Sequence, residues 1–407
     1  MTSNALSFIE RRTRTRAGQV IFHLIFLFPI LGAVVSRLSR HRHLLNDYDA
    51  LACGAWSLAR GLSPYARHPV CPGLDPAAFV YAPQVGQAFR PFIDTFGLEG
   101  SRLVWLIPLI PAMGVLVWYA LFKAMPRAPY ALRLMSLAAI AGSMVTCGNA
   151  GFVLNGLIVL CALNLNRSRY PFILAVLFAA CVKPAMLTWL FLLLCDGRPW
   201  VSRIVAAGGS AVAGVALVGG MMMTAGPLTP QWHALLDAIL HEQPGVSFFA
   251  YAKLFGLPPG SPVTLGLLLA FMTVLGLSGL VLAEGAGLSR DERIVLGIGM
   301  AQLLNPRLMD YDMLTLAPFV ALLVMMSRDC GSRAFAWVSW ICSGTLFACF
   351  VVNIVELPIQ QRAPITVFVY CGLTVAVAVL TARRHRQTVL TRLSKVASAS
   401  PSNRAAS

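Results

Sequence analysis

Three polar clusters interrupt this otherwise apolar chain, and each carries side chains suited to acid–base or phosphate chemistry. The first, in the long segment after the first apolar run, contains Asp47 and Asp49. The second is Lys183, inside a later apolar run, and the third is the polar turn NPRLMDYD, which starts at Asn305 and includes Arg307. A carboxylate can take a proton from a hydroxyl as a general base. Lys and Arg can hold a phosphate and stabilise its departure, and Arg can do so bidentately.

Each of these residues also has a purely structural interpretation. Asp47 could cap a helix N-terminus, where the helix dipole favours a carboxylate. Lys183 could extend its ammonium to the membrane interface, and Arg307 could pair with Asp310 or Asp312. The sequence leaves both interpretations open at each position.

The elements that must position these groups are membrane helices. Of the 407 residues, 57% are hydrophobic and only 12% are charged, with a mean hydropathy of +0.73. Soluble proteins carry roughly a quarter charged residues. The composition therefore excludes a soluble enzyme and predicts a membrane protein.

We predict about twelve crossings, two of which come from the run 171–195. A Lys at the centre of a lipid-facing helix would cost at least about 3 kcal/mol, and Pro184 lacks a backbone donor. Two short helices with Lys183-Pro184 at the turn are therefore favoured over one kinked helix. The predicted spans are 18–36, 102–122, 132–147, 150–165, 171–195 as two, 201–223, 263–283, 293–304, 313–327, 335–355 and 364–382.

The net charge of +16 could indicate a nucleic-acid partner, but its distribution indicates topology. The predicted cytoplasmic segments hold 21 basic and six acidic residues, a net of +15, whereas the opposite side keeps 11 and 10, a net of +1. Cytoplasmic loops are enriched in Lys and Arg. We therefore predict no nucleic-acid partner and a multi-pass protein of the plasma (inner) membrane with both termini cytoplasmic. Its parts are a basic N-terminus (1–17), a transmembrane domain (18–382) with an extracytoplasmic loop (37–101), and a basic tail (383–407).

The extracytoplasmic loop itself contains a predicted amphipathic helix on the membrane surface. Apolar residues recur at helical spacing over 48–59, and Gly61 with Pro64 ends the pattern. Asp47 would lie near its N-terminus. On such a helix Asp49 would point about 200° away from Asp47.

The ten cysteines show no C-x-x-C or other metal-ligand spacing, so the sequence predicts no metal and no cofactor. Cys53 and Cys71 both lie in the extracytoplasmic loop. They could form a disulfide if that compartment is oxidising. They could equally be two unpaired small residues.

Seven short motifs, in a fixed order along the chain, resemble those of a known enzyme class. They are Asp47 after the first span, Gly61 and Tyr65 after the amphipathic stretch, Tyr81-Ala82-Pro83-Gln84, Gly148-Asn149 with Asn155 beyond it, Lys183-Pro184, Asn305-Pro306-Arg307, and Asp310-Tyr311-Asp312. Over most of 20–330 this order is similar to that of the GT-C integral-membrane glycosyltransferases, above all family 87. Members of that family use polyprenyl-phosphate sugars, and the well-known ones are mannosyltransferases. The chain departs from the family pattern in having one Pro in the Tyr-x-Pro-Pro-like element and no Gln in the Gly-Gln-Asn-like turn.

The resemblance implies an all-α, GT-C-like membrane fold and an inverting transfer of mannose, or of another hexose or pentose, to a lipid or glycan acceptor. It implies that Asp47 is the general base, with Asp49 as the fallback. The donor would be a polyprenyl-phosphate sugar, with Lys183 and Arg307 at its phosphate and membrane lipids around the protein. The remaining predicted cavity residues are Tyr65, Tyr81, Asn149, Asn305, Asp310 and Tyr311.

A multi-pass secondary transporter of a lipid-linked or small solute is the main alternative function. Transporters also combine many spans with broken helices, but they typically contain internal repeats. The sequence shows no convincing repeat, and the loop 37–101 has no counterpart in the second half of the chain. These observations favour an enzyme. A structural membrane subunit, the third possibility, would not need acids and cations that converge.

Overall fold

The computed structural model describes residues 44–130, 147–354 and 359–385, together with scattered positions in 15–24 and 132–137. Every element in these ranges is helical. The α-helices are α1 (Asn46–Ala59), α2 (Pro83–Trp118), α3 (Ala150–Leu163), α4 (Tyr170–Val182), α5 (Leu192–Cys195), α6 (Trp200–Met223), α7 (Thr229–Glu242), α8 (Phe248–Leu254), α9 (Pro262–Gly285), α10 (Arg290–Leu303), α11 (Ala317–Cys330), α12 (Ser332–Ile354) and α13 (Ile359–Arg384). A π-helical turn follows α2 at Tyr119–Lys123, and 3₁₀ helices occupy Pro184–Phe191, Gly226–Leu228 and Asp310–Leu316.

Five helical segments of the described part are long and apolar enough to cross a membrane. They are Pro83–Lys123, Trp200–Met223, Pro262–Gly285, Tyr311–Cys330 and Pro364–Arg384. Three shorter apolar helices accompany them, at Ala150–Leu163, Tyr170–Val182 and Pro184–Cys195. The chain is therefore an all-α membrane-embedded protein, as its composition predicts.

The run 171–195 folds as two short antiparallel helices. Helix α4 ends at Val182, Lys183 has an extended backbone (φ −133°), and a 3₁₀ helix that begins at Pro184 leads into α5. Arg169, before α4, and Asp196, after α5, meet at 2.9 Å, so the chain returns to its starting level. The predicted break is confirmed, and it puts Lys183 at the tip of the hairpin.

A second hairpin is formed by α10 and α11, and its tip contains the polar turn 305–312. The two helices pack closely because Gly299 has no side chain: a Cβ there would lie 2.2 Å from the ring of Phe319. An ion pair of 3.1 Å between Lys183 and Asp312 joins the two tips. Two helix breaks that are far apart in sequence thus meet at one end of the bundle, here called the cavity side.

The end of the bundle remote from these tips, here called the opposite side, carries most of the arginines of the described helices and their loops. Lys123, which ends the turn after α2, contacts Asp291 near the start of α10 at 3.4 Å. Arg203 in α6 contacts Glu284 near the end of α9 at 2.8 Å. The described helices therefore run between a cavity side of mixed charge and a basic opposite side.

Helix α2 differs from the predicted span 102–122 because it begins at Pro83. Gly97 interrupts it with a positive φ of 66°, a conformation that L-residues with a Cβ rarely adopt. The break separates a first part, rich in aromatic residues, from the membrane-spanning part. Hydropathy could not reveal the first part because it is too polar to be read as a span.

Helix α1 confirms the predicted helix over 48–59, and much of its surface is buried within the protein. Tyr48 and Ala52 are almost completely buried, and the Tyr48 ring lies 5.2 Å from the Trp105 ring of α2. A disulfide links Cys53 to Cys71, with their Cα atoms 5.9 Å apart. The helix therefore packs against α2 and its own following loop, and a helical pattern alone does not identify these partners.

Several predictions fall outside the described residues. These are most of the N-terminus 1–17, most of the spans 18–36 and 132–147, and the tail beyond His385. The twelve-span count thus remains a prediction.

Candidate functional site

A cavity of about 400 Å³ opens on the cavity side between the two hairpin tips, α1 and α7. Small-molecule sites typically range from about 300 to 1,000 Å³. Seven of the residues predicted from the sequence line it: Asp47, Tyr81, Asn149, Lys183, Asn305, Arg307 and Tyr311. The fold therefore brings all three polar clusters of the sequence into one space.

Asp47 is held in the cavity wall by the turn that precedes α3. Asn149 Nδ2 donates to Asp47 Oδ2 at 2.9 Å, while Asn149 Oδ1 caps α3 by accepting from Gly151 N at 2.7 Å. The Asp47 backbone N–H donates to the Cys147 carbonyl at 3.0 Å. The cap of α1 is instead Leu45, without a side-chain bond, so Asp47 is not an N-cap.

Gly148 allows this approach of α1 to α3. Its φ is +67°, and a Cβ on it would lie 3.2 Å from the Leu45 backbone and 2.6 Å from the Leu45 side chain. Its carbonyl accepts from Trp105 Nε1 at 3.0 Å. A residue without a side chain is therefore required where the loop, α2 and α3 meet.

Lys183 and Asp312 form the floor between the two tips. Lys183 Nζ lies 3.1 Å and 3.3 Å from the two Asp312 oxygens, and Asn155 Nδ2 donates to Asp312 Oδ1 at 3.2 Å. The ammonium also lies 4.6 Å from the centre of the Tyr311 ring, a cation–π contact. Asp312 is 2% exposed at its side chain and Lys183 17%. The carboxylate thus compensates the charge of a Lys that still reaches the cavity.

Gly151 lies between Asn149, which holds Asp47, and the ion pair of Lys183 with Asp312. A Cβ on Gly151 would lie 2.8 Å from Asn149 Oδ1, 2.9 Å from Asp312 Oδ1 and 3.0 Å from Lys183 Nζ. These three polar atoms thus surround one point at the first turn of α3. The two groups form one continuous polar wall.

Arg307 lies on another wall and does not pair with Asp312. Its Nε donates to the Gln243 carbonyl at 3.3 Å, and its backbone N–H donates to Asn305 Oδ1 at 3.1 Å. Because guanidinium has five N–H donors, the bonds to described residues use only one of them. Of the alternatives for Arg307, pairing with Asp312 is therefore wrong. The side chain of Asp310, the other predicted partner and a predicted cavity residue, lies outside the described part.

Tyr65, predicted to line the cavity, instead supports a residue that does. Its hydroxyl donates to the Tyr81 carbonyl at 3.0 Å, and its ring packs 5.7 Å from that of Phe79.

Burial raises the pKa of Tyr81 well above the usual range, an effect that the Asp47 carboxylate increases. The Tyr81 phenol therefore stays protonated at neutral pH, and its O–H can donate a hydrogen bond to a deprotonated group.

Asp49, the predicted fallback base, does not line the cavity. Its side chain is fully buried and pairs with Arg102 Nε of α2 at 3.0 Å, and it accepts from the Asp75 backbone N–H at 3.4 Å. Two residues along a helix point to different sides, so one carboxylate of α1 faces the cavity and the other fastens α1 to α2. Asp49 is thus a positioning residue, and its prediction as a base is not supported by its location.

The mouth of the cavity contains charged residues that were not among the predicted site residues. Arg67 and Glu242, both at least half exposed, form an ion pair of 3.0 Å across it, next to His68. No motif marks these residues because exposed loops carry charges routinely. Asn155 did carry a signal: it is a buried amide in the middle of the apolar helix α3, and polar residues inside membrane segments mark sites.

The arrangement places bases and cations in balance around one space. The cavity is lined by three carboxylates (Asp47, Glu242, Asp312) and three strong cations (Arg67, Lys183, Arg307). Among the described residues, no three His, Cys, Asp or Glu side chains are grouped so that they could hold a metal ion. Proton transfer by a carboxylate and binding of an anionic group by cations are therefore the chemistry that the described side chains provide.

Comparison with protein-family models, with curated proteins and with solved structures finds no match to this chain.

Proposed function

We propose that this protein is a membrane glycosyltransferase that moves a sugar from a polyprenyl-phosphate donor to a lipid or glycan hydroxyl. Asp47 takes the proton of the acceptor hydroxyl, whose oxygen attacks the anomeric carbon. The bond between that carbon and the phosphate oxygen breaks, and its electron pair leaves with the polyprenyl phosphate. Direct attack of this kind inverts the anomeric configuration.

The observation that carries the proposal is the joint presence of Asp47, Lys183 and Arg307 in one cavity. Activation of a hydroxyl needs a base, and departure of a phosphate needs positive charge. Asn149 orients the carboxylate, while Asp312 holds the ammonium in place. Preorganised groups of this kind stabilise a transition state without further rearrangement.

The apolar part of the same cavity supports a lipid-linked substrate. Val182 lies beside Lys183, and Leu236 with Ile239 of α7 forms another part of the lining. An isoprenoid chain could contact these side chains while its phosphate reaches the cations. A soluble sugar nucleotide has no isoprenoid chain that could contact this apolar surface.

We also propose that the cavity side faces the extracytoplasmic compartment in a layout of twelve spans. The disulfide between Cys53 and Cys71 lies on this side, and disulfides persist in oxidising compartments. The arginine-rich opposite side would then be cytoplasmic, in agreement with the positive-inside rule.

The first test replaces Asp47 by Asn, which keeps the shape of the side chain but removes the base. We expect the loss of transfer to be about 10²-fold or more, which is typical of removing a general base. Asp75→Asn is the matched control because Asp75 is an exposed acid of the same loop that does not line the cavity. Membranes that contain each variant would be incubated with labelled polyprenyl-phosphate sugars, and labelled lipid or glycan would be measured. Undiminished turnover of Asp47→Asn would remove the catalytic assignment.

The second test concerns the donor phosphate. Arg307→Ala should raise the KM for the donor about tenfold or more, because a hydrogen bond to a charged group contributes about 1.5–3 kcal/mol. The KM for the acceptor should change much less. Arg90→Ala, which removes an exposed arginine paired with Asp94, is the control. An equal rise in both KM values would contradict a role at the donor phosphate.

A secondary transporter remains the alternative outcome of these assays. It would show substrate-dependent flux in liposomes and no labelled product with any donor. That combination would overturn the proposed function.

A further inference from the structure

A second cavity, of about 310 Å³, lies on the opposite side between the ends of α3, α5 and α10. Three arginines line it, Arg198, Arg290 and Arg293, and the only carboxylate among the lining residues is Asp196. Leu165, Leu192 and Ile294 provide an apolar part of the same lining. The cavity is separate from the candidate active site and shares none of its residues.

The carboxylates near this cavity already have partners. Asp196 Oδ2 lies 2.9 Å from Arg169 Nη2 and 3.6 Å from Arg198 Nε. Glu284 Oε1 lies 2.8 Å from Arg203 and 3.5 Å from Arg293. Two carboxylates thus serve four arginines, and Arg290 adds a fifth positive charge.

The acids at the start of α10 reduce this surplus of positive charge but do not remove it. Asp291 contacts Lys123 at 3.4 Å, and Glu292 accepts from the Ser289 backbone N–H at 2.8 Å. The cluster around the cavity therefore keeps a surplus of positive charge. An anionic ligand would compensate it.

Two of the three lining arginines are held by backbone carbonyls and keep further donors. Arg198 Nη2 donates to the Leu165 carbonyl at 3.1 Å, and Arg293 Nη1 donates to the Cys195 carbonyl at 3.2 Å. These bonds fix each guanidinium while using only part of its five donors. Guanidinium groups that are already held in position are suited to bind the tetrahedral oxygens of a phosphate.

Aromatic residues next to the cluster indicate that the cavity lies at headgroup level. Tyr170 follows Arg169 and is 76% exposed, and Trp200 stacks on Arg203 with 4.1 Å between the guanidinium carbon and the ring centre. Tyr and Trp concentrate at membrane–water interfaces. A cavity with cations and apolar side chains at this depth meets the phosphate and glycerol region of a phospholipid.

We propose that this cavity binds the headgroup phosphate of an anionic phospholipid on the side of the membrane opposite to the candidate active site. The guanidinium groups of Arg198, Arg290 and Arg293 contact the phosphate, and Leu165 with Ile294 contacts the first carbons of the lipid. This inference does not depend on the glycosyltransferase proposal.

Binding of phosphatidylglycerol to the purified full-length protein, followed by native mass spectrometry, tests the inference. Phosphatidylcholine is the zwitterionic comparison. Arg290→Glu should weaken phosphatidylglycerol binding about tenfold or more, because a charge-assisted bond is replaced by repulsion. Arg290 is the first residue of α10, where an acid is favourable for the helix dipole, so this variant should fold.

Arg167→Glu is the matched control, since Arg167 is an exposed arginine of the same side that does not line the cavity. Its affinity for phosphatidylglycerol should equal that of the wild type. Equal affinities in Arg290→Glu and Arg167→Glu, or equal binding of phosphatidylglycerol and phosphatidylcholine, would overturn the proposal. Inorganic phosphate should fail to displace the lipid at concentrations that match it, and displacement would show that the ligand is free phosphate instead.

Discussion

Gly151→Ala should disrupt the polar junction at the start of α3, which is formed by the side chains of Asn149, Asp312 and Lys183 around Gly151. The added Cβ would lie 2.8 Å from Asn149 Oδ1, 2.9 Å from Asp312 Oδ1 and 3.0 Å from Lys183 Nζ. Ordinary contacts begin at 3.4 Å, so the three atoms must recede by about 0.6, 0.5 and 0.4 Å. None of them is free to do so, because each is hydrogen-bonded.

Two losses follow from this displacement. The cap bond from Gly151 N to Asn149 Oδ1, now 2.7 Å, would lengthen beyond 3 Å, and loss of a cap costs about 1 kcal/mol. Weakening of the bonds to the Asp312 carboxylate costs about 1.5–3 kcal/mol. Replacing Gly by Ala in a helix returns at most about 1 kcal/mol. The net expectation is a destabilisation of about 2 kcal/mol.

Gly208→Ala is the matched control because Gly208 lies inside α6 and a Cβ there would meet nothing within 4 Å. It should leave the free energy of unfolding unchanged or raise it by up to about 1 kcal/mol. Unfolding by sodium dodecyl sulfate in mixed micelles, followed by circular dichroism, compares the two variants. Sugar transfer by Gly151→Ala should fall as well, since Asn149 also orients Asp47. If Gly151→Ala proved as stable as Gly208→Ala, the packing of the junction described above would be refuted.

Two further predictions concern the attachment of α1. Asp49→Ala should lower the free energy of unfolding by about 3–5 kcal/mol, because it leaves the Arg102 guanidinium without its buried partner; Asp94→Ala, which breaks an exposed pair, should cost less than about 1 kcal/mol in the same denaturation assay. Equal costs would contradict the burial of the Asp49 pair. The double variant Cys53→Ser/Cys71→Ser should lower the free energy of unfolding by about 3 kcal/mol, since the disulfide closes a loop between cysteines 18 residues apart. A reducing agent should lower the stability of the wild type but not that of the double variant, and insensitivity of the wild type would count against the disulfide.

Local patterns in the sequence predicted much of the candidate site. Lys183-Pro184 inside an apolar run predicted a helix break, because a buried cation and a missing backbone donor are both costly in lipid. Polar residues are rare in a chain of membrane helices, so the few that are present could be identified from the sequence. Asp47, Asn149, Lys183 and Arg307 do share one cavity. Their pairing was not predictable in this way, since Lys183 meets Asp312, and Asp312 meets Asn155, only through contacts between helices distant in sequence.

By itself the sequence determined that this is an all-α membrane protein, because hydropathy depends only on residue types. It also determined which few polar residues could carry chemistry. Only the tertiary structure decided that Asp47 faces the cavity while Asp49 is buried against Arg102, that Tyr65 supports Tyr81, and that Cys53 and Cys71 are joined. The physical reason is that the direction of a side chain and the choice of its partner are set by packing between helices, and a one-dimensional pattern does not contain those distances.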